Sequence, residues 1–174
     1  MSCCDLCGFV NVIYGITIPR RDGKVLGGTE FSSMHAVYCA LPDGVKQRLD
    51  GATATHDFKK FWENIRKAQG TCPVLTDAQR AQRPPVCYPI TPTHPITGTP
   101  TLYCNPGYAT QIDGWDKAES DDMLNYLFEF HLRSEFLTMH TWTENDVLLW
   151  DNLGSIHQAI ADYCPDEACL MKRC

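Results

Sequence analysis

The sequence predicts one domain with a mixed, β-rich (α+β) fold. Its 174 residues are enough to enclose a hydrophobic core, and its hydrophobic and charged fractions of 44% and 21% are ordinary for globular proteins. Segments rich in β-branched and aromatic side chains lie near both ends of the chain. Segments with helical periodicity lie between them. This order favours a sheet core into which helices are inserted.

The first half of the chain begins with a predicted strand. Residues 9–18 are β-branched and aromatic and end at Pro19, and a turn-rich connector follows over 20–28. Residues 70–100 contain many prolines and polar residues, which indicates a lid or flank rather than core. Helices are predicted where apolar side chains recur at helical spacing: from Ser32 or Ser33 to about Leu41, over 43–50 and over 57–68.

The second half contains the clearest helix and most of the predicted strands. Over 116–132 the apolar residues recur every three or four positions, and acidic residues crowd the first turn, which predicts a helix. Four extended segments are predicted as strands: 101–104, 136–142, 147–150, which reads as a buried strand, and 157–163.

The charge and cysteine content exclude several classes of protein. A net charge of −6 and a pI near 5.4 argue against a nucleic-acid partner, since no basic face is evident. The sequence contains no apolar run of about 18 residues, so it predicts no membrane span, and no secretory signal is visible. The ten cysteines favour free thiols in a reducing, cytoplasmic setting. Cys4 and Cys7 leave open a zinc or redox site, a weaker hypothesis because no second close pair exists.

The candidate site follows the apolar run that ends at Trp150. The chain continues through Asp-Asn and a short Gly/Ser turn to His157, at the head of the next extended segment. This order predicts that the His157 imidazole lies at the mouth of a sheet, where it can face a cavity and bind a metal. Arg173, sixteen residues further on, can neutralise an anion in the same cavity.

Several segments, taken in order along nearly the whole chain, resemble the taurine/chlorophenoxyacetate (TauD/TfdA-like) dioxygenase family. The Trp150-Asp151-Asn152 segment with His157 is one of them, and no single motif decides the resemblance. The others are Gly27 to Phe31, Ala36 to Pro42, His94-Pro95-Ile96-Thr97-Gly98, Leu102 to Tyr108, Trp142 and Asp146.

The resemblance implies a double-stranded β-helix (jelly-roll) core that holds Fe(II), with 2-oxoglutarate as cosubstrate and a small, anionic organic molecule as substrate. His157 matches the family's distal iron ligand. Thr29 matches the hydroxyl that helps to hold 2-oxoglutarate. Arg173 matches the arginine for the substrate's anionic group, and it could instead bind the cosubstrate. Family members are commonly dimers or tetramers, so the resemblance leaves a homo-oligomer open.

Two departures from the family pattern support a second hypothesis, a truncated or degenerate homologue or subunit without a functional iron site. No histidine is followed two residues later by Asp or Glu, so the family's His-x-Asp ligand pair is absent. Cys169 stands where the family has its 2-oxoglutarate arginine. We therefore expect residues 1–174 to form a single TauD/TfdA-like domain with an incomplete jelly-roll core, lacking the N-terminal His-x-Asp segment and the last C-terminal strand.

Overall fold

A computed structural model describes residues 8–70 and 72–173. The helices are α1 (Met34–Ala40), α2 (Asp43–Leu49), α3 (Phe58–Gln69), α4 (Asp77–Ala81) and α5 (Lys117–Phe130), with a 3₁₀ turn at Ser134–Phe136. The strands are β1 (Val10–Thr17), β2 (Arg20–Arg21), β3 (Lys24–Val25), β4 (Thr29–Ser33), β5 (Thr53–His56), β6 (Val86–Pro89), β7 (Ala109–Ile112), β8 (Leu137–His140), β9 (Val147–Asp151), β10 (Ser155–Ala159) and β11 (Leu170–Arg173).

Two three-stranded antiparallel sheets carry the residues of the candidate site. In the first, β1 lies between β11 and β9; in the second, β4 lies between β10 and β8. The Trp150 side chain of the first sheet reaches the second, where its ring contacts Phe31 and His157. The mixed, β-rich architecture expected from the sequence is therefore confirmed, and the structure shows that these sheets are antiparallel.

The main hydrophobic core lies beside these two sheets. It joins α1 and α5 to a third sheet, in which β5 lies between β6 and β7. Leu127 of α5 and Val37 of α1 are fully buried in this core. Asp116 caps α5 by accepting a hydrogen bond from the backbone amide of Ala118. The predicted helices over 32–41, 43–50, 57–68 and 116–132 agree with α1, α2, α3 and α5 within one or two residues.

Several predicted segments differ in the structure. Residues 101–104 form no strand, although the backbone amide of Tyr103 donates to Ile90. Strand β9 is buried on one face only, because Trp150 is 7% exposed whereas Val147 and Leu149 are 65% and 63% exposed on the outer face of its sheet. The predicted strand 157–163 is β10, which begins two residues earlier and ends at Ala159, so His157 lies in the middle of a strand rather than at its head.

The proline-rich segment 70–100 is partly core. It contains α4 and β6, and β6 pairs with β5. Ile90 is fully buried in the main core. The prediction of a lid or flank was therefore wrong for the second half of this segment. Among the described residues, no helix is both long and apolar enough to cross a membrane.

Candidate functional site

His157 and Arg173 both line a cavity of about 390 Å³. The sequence predicted that these two side chains share one cavity, and the structure brings them together. The remaining lining residues come mainly from the β10–β4 sheet, the end of α5, and α3 with the loop after residue 104: Glu30, Phe31, Ser32, Phe61, Asn105, Pro106, Gly107, Tyr108, Phe128, His131, Leu132, Leu137, Ile156 and Gln158.

His157 is held by its neighbours on both sheets. It lies opposite Phe31 in the β10–β4 ladder, and its ring centroid is 5.9 Å from that of Phe31 and 4.7 Å from that of Trp150. Burial, and next the nearby positive charge of Arg173, lower the pKa of His157 to about 4. At neutral pH the imidazole is therefore uncharged, the form that can donate a lone pair to a metal.

Arg173 reaches the cavity from β11. In the sheet, Arg173 pairs with Ile13 of β1, and the Arg173 guanidinium carbon lies 6.0 Å from the centroid of the Trp150 ring. Within residues 8–70 and 72–173, no Asp or Glu forms an ion pair with Arg173. A guanidinium without a protein counter-ion can bind a carboxylate through two parallel hydrogen bonds.

Thr29 and Cys169 lie outside the wall of this cavity. Thr29 is buried on β4, opposite Ala159, and its hydroxyl oxygen accepts a 2.9 Å hydrogen bond from the Trp142 indole. That hydroxyl keeps a proton to donate. Thr29 lies two residues before Phe31, which is opposite His157 in the ladder, so the Thr29 and His157 side chains are on the same face of the sheet. Cys169 is hydrogen-bonded to Tyr163, whose pKa is raised chiefly by this contact.

The described residues do not fit the three-ligand iron site that the family uses. No group of three His, Cys, Asp or Glu side chains within residues 8–70 and 72–173 is placed to hold a metal ion. His157 is therefore a single candidate ligand, whereas a facial site needs a second histidine and a carboxylate. Cys4 and Cys7, the candidate zinc or redox pair, lie outside the described residues.

The sequence did not single out the cavity's aromatic wall or His131. The rings of Phe61 and Tyr108 stack with centroids 4.7 Å apart, and Phe128 lies on the same wall. His131 is only 3% exposed, and neither ring nitrogen has a hydrogen-bond partner among the described residues. Its position on the apolar face of α5 predicted a core residue, and burial lowers its pKa. For Phe61, Phe128 and His131, the helix periodicity alone indicated that the side chain points inward.

The sequence profile of the family described as "Taurine catabolism dioxygenase TauD, TfdA family" matches residues 10–174. This chain belongs to the TauD/TfdA family. An alpha-ketoglutarate-dependent 2,4-dichlorophenoxyacetate dioxygenase of Cupriavidus pinatubonensis is 33% identical over 148 residues, which cover 85% of the chain and 48% of that relative.

Solved structures of the same kind share the fold. A taurine dioxygenase from Burkholderia xenovorans aligns with 26% identity and a TM-score of 0.75, over 95% of this chain and 50% of that one. AAD-2, solved in complex with Mn(II) and N-oxalylglycine, aligns with 25% identity and a TM-score of 0.80, over 95% of this chain and 61% of that one. The chain spans about half the length (46–55%) of several of the curated relatives that it matches and 36–38% of others.

Proposed function

We propose that this chain is part of an Fe(II)- and 2-oxoglutarate-dependent dioxygenase that oxidises a small, anionic organic molecule. The observation that carries the proposal is the shared cavity of His157 and Arg173, which combines a neutral imidazole with a guanidinium that has no described counter-ion. The family and the similarity to dioxygenases of sulfonates and phenoxyacetates support it. The finer fold assignment, an incomplete jelly-roll core within one domain, belongs to the same proposal.

In this proposal the chain's own residues bind and orient the reactants. Arg173 binds a carboxylate of the substrate or of 2-oxoglutarate through its planar fork. His157 offers a nitrogen lone pair to the iron. Thr29 is a candidate donor to 2-oxoglutarate through its remaining hydroxyl proton. The Phe61 and Tyr108 rings form an apolar wall that excludes water from the bound organic part of the ligand.

Proposals about partners and location follow from composition and burial. The net charge of −6 supports a small-molecule partner rather than nucleic acid. Free thiols at Cys39, Cys87, Cys104, Cys164 and Cys169 support a reducing, cytoplasmic location. A homo-oligomer agrees with the exposed Val147 and Leu149 on the outer face of the first sheet.

A second candidate function is a non-catalytic homologue that keeps the cavity without a working iron site. The specific observations in its favour are the missing His-x-Asp pattern and the lack of any three-ligand group among the described residues. Cys169 also supports it, since a neutral thiol cannot replace an arginine as a carboxylate partner.

Anaerobic titration with Fe(II) and 2-oxoglutarate separates these two functions. The dioxygenase proposal expects the weak visible charge-transfer band of the metal-chelated oxo acid, and it expects that band to be lost in His157→Ala. A matched control is His35→Ala, because His35 is exposed and lies outside the cavity wall. Folded wild-type protein that gives no band refutes an iron site in this chain and supports the non-catalytic homologue.

A further inference from the structure

A hydrogen-bonded pair of side chains joins the loop after β6 to the end of β9. The Nε2 atom of His94 lies 2.8 Å from the Oδ2 atom of Asp151. His94 is 6% exposed, and the Phe9 ring lies against it with centroids 5.4 Å apart. The His94 side of the contact is therefore shielded from water, while the Asp151 side chain is 35% exposed, and the carboxylate makes the hydrogen bond charge-assisted.

The backbone around His94 fixes which nitrogen carries the proton. The Nδ1 atom accepts hydrogen bonds from the backbone amides of Ile96, at 3.3 Å, and Thr97, at 3.1 Å. A nitrogen that accepts from two amides has no proton of its own, so in the neutral ring the proton is on Nε2. His94 therefore donates to the Asp151 carboxylate, and the two nitrogens have separate tasks.

The Asp151 carboxylate in turn holds the tight turn that leads into β10. Its Oδ1 atom accepts from the backbone amide of Leu153 at 2.8 Å, and Oδ2 accepts from the amide of Gly154 at 3.0 Å. A Cβ atom on Gly154 would lie 2.5 Å from Oδ2, so a larger residue in this position would displace the carboxylate. The carboxylate thus binds two turn amides and His94 at the same time.

This turn sets the register of the strand that carries His157. Strand β10 starts at Ser155, directly after the turn, and pairs Ser155 with Ser33 and His157 with Phe31. Because side chains alternate between the faces of a strand, a slip of one residue would turn His157 to the face opposite the Trp150 ring. The geometry of the turn therefore decides where the His157 imidazole points.

We propose that His94 is a positioning residue, which acts through Asp151 and the 151–154 turn to hold His157 in the cavity wall. His94 itself is not among the residues that line the cavity. The importance of this role for chemistry rests on the proposed function. The structural role does not, because it concerns where His157 lies and not what His157 binds.

Two substitutions of His94 separate its two hydrogen-bonding tasks. His94→Gln places an amide nitrogen near the position of Nε2, so it keeps the donor to Asp151 and loses the acceptor for Ile96 and Thr97. His94→Asn places a carbonyl oxygen near the position of Nδ1, so it keeps the acceptor and loses the donor. Gly154→Ala displaces the Asp151 carboxylate directly, and the exposed His35→Gln is the matched control.

The experiment is NMR of the isotopically labelled chain, with hydrogen exchange of backbone amides. In the wild type, His94→Gln and His35→Gln, we expect nuclear Overhauser contacts between the rings of His157 and Trp150, which are 4.7 Å apart. In His94→Asn and Gly154→Ala we expect these contacts to weaken. In the same two variants the β10 amides should exchange about tenfold faster, while those of β5 keep their wild-type rates.

Three results would overturn the proposal. His94→Asn could keep the His157–Trp150 contacts and the β10 protection. His94→Gln could behave like His94→Asn, so that the donor to Asp151 would not be the decisive bond. Exchange could accelerate equally in β10 and β5, which would mean that His94 only contributes to global stability. Failure to bind 2-oxoglutarate would refute the proposed function and leave the positioning role standing.

Discussion

Protonation of His56 should make this fold sensitive to mild acid. His56 ends β5 and is fully buried, and neither ring nitrogen has a hydrogen-bond partner among the described residues. Its ring stacks on Tyr103, with centroids 5.5 Å apart and planes 2° apart, and the Tyr88 ring meets it edge-on. Burial, and next the nearby Lys60 ammonium, lower the pKa of His56 to about 4.

The sign and size of the effect follow from linkage. Because the pKa of His56 is lower in the folded chain than its unfolded value of 6.5, the unfolded state binds the extra proton first. Stability is therefore complete above about pH 6.5 and falls as the pH decreases toward 4. A shift of this size corresponds to about 2 kcal/mol of unfolding free energy lost between pH 7 and pH 5.

The assay is urea unfolding at pH 7 and pH 5 for the wild type and His56→Phe. Phenylalanine keeps the aromatic contact with Tyr103 and cannot titrate, so the variant should lose about 2 kcal/mol less than the wild type over this interval. Other histidines contribute equally to both proteins and cancel in the comparison. His35→Phe, at an exposed position, should keep the wild-type pH dependence. Equal pH dependence in His56→Phe and the wild type would refute this reasoning.

Three further substitutions test the packing and capping. Leu127→Ala, at a fully buried position of α5, should lower the unfolding free energy by about 3 kcal/mol in urea, and a loss below ~1 kcal/mol would contradict the assigned core. Asp57→Ala removes the side chain that accepts from the Lys59 amide at the start of α3, and calorimetry should show a loss of about 1 kcal/mol. Trp142→Phe leaves the buried Thr29 hydroxyl without its indole donor and should lower the unfolding free energy by roughly 1–3 kcal/mol. An unchanged unfolding free energy would contradict this expectation.

The long, periodic segments were predictable because their own side chains specify them. The β-branched and aromatic side chains of 9–18 predicted β1, and the 3.6-residue period of 116–132 predicted α5. Strands β5 and β7 were not predicted, since each has four residues and is defined by pairing with a distant partner. Pairing of that kind depends on tertiary structure, which local sequence does not encode.

The residues of the candidate site likewise divide into those that local sequence marks and those that only the fold brings together. The shared cavity of His157 and Arg173 could be predicted because a turn signal precedes His157 and a basic residue follows sixteen positions later. The link between His94 and Asp151 could not, although both residues lie in segments that resemble the family. The residues are far apart in sequence, and only the fold shows that His94 donates to the carboxylate that organises the turn before His157.

The central claim is that the cavity of His157 and Arg173 binds the reactants. Its most direct test is binding of 2-oxoglutarate to the metal-free chain, monitored by NMR and calorimetric titration. We expect shifts at residues of the cavity wall and, if Arg173 binds the cosubstrate, at least tenfold weaker binding in Arg173→Gln, since a bidentate charge-assisted contact is lost. Arg48→Gln is the matched control, because Arg48 pairs with Glu119 and lies outside the cavity wall. Absence of binding, or shifts located away from His157, would contradict the claim, whereas equal binding in Arg173→Gln and the wild type would assign Arg173 to the substrate's anionic group.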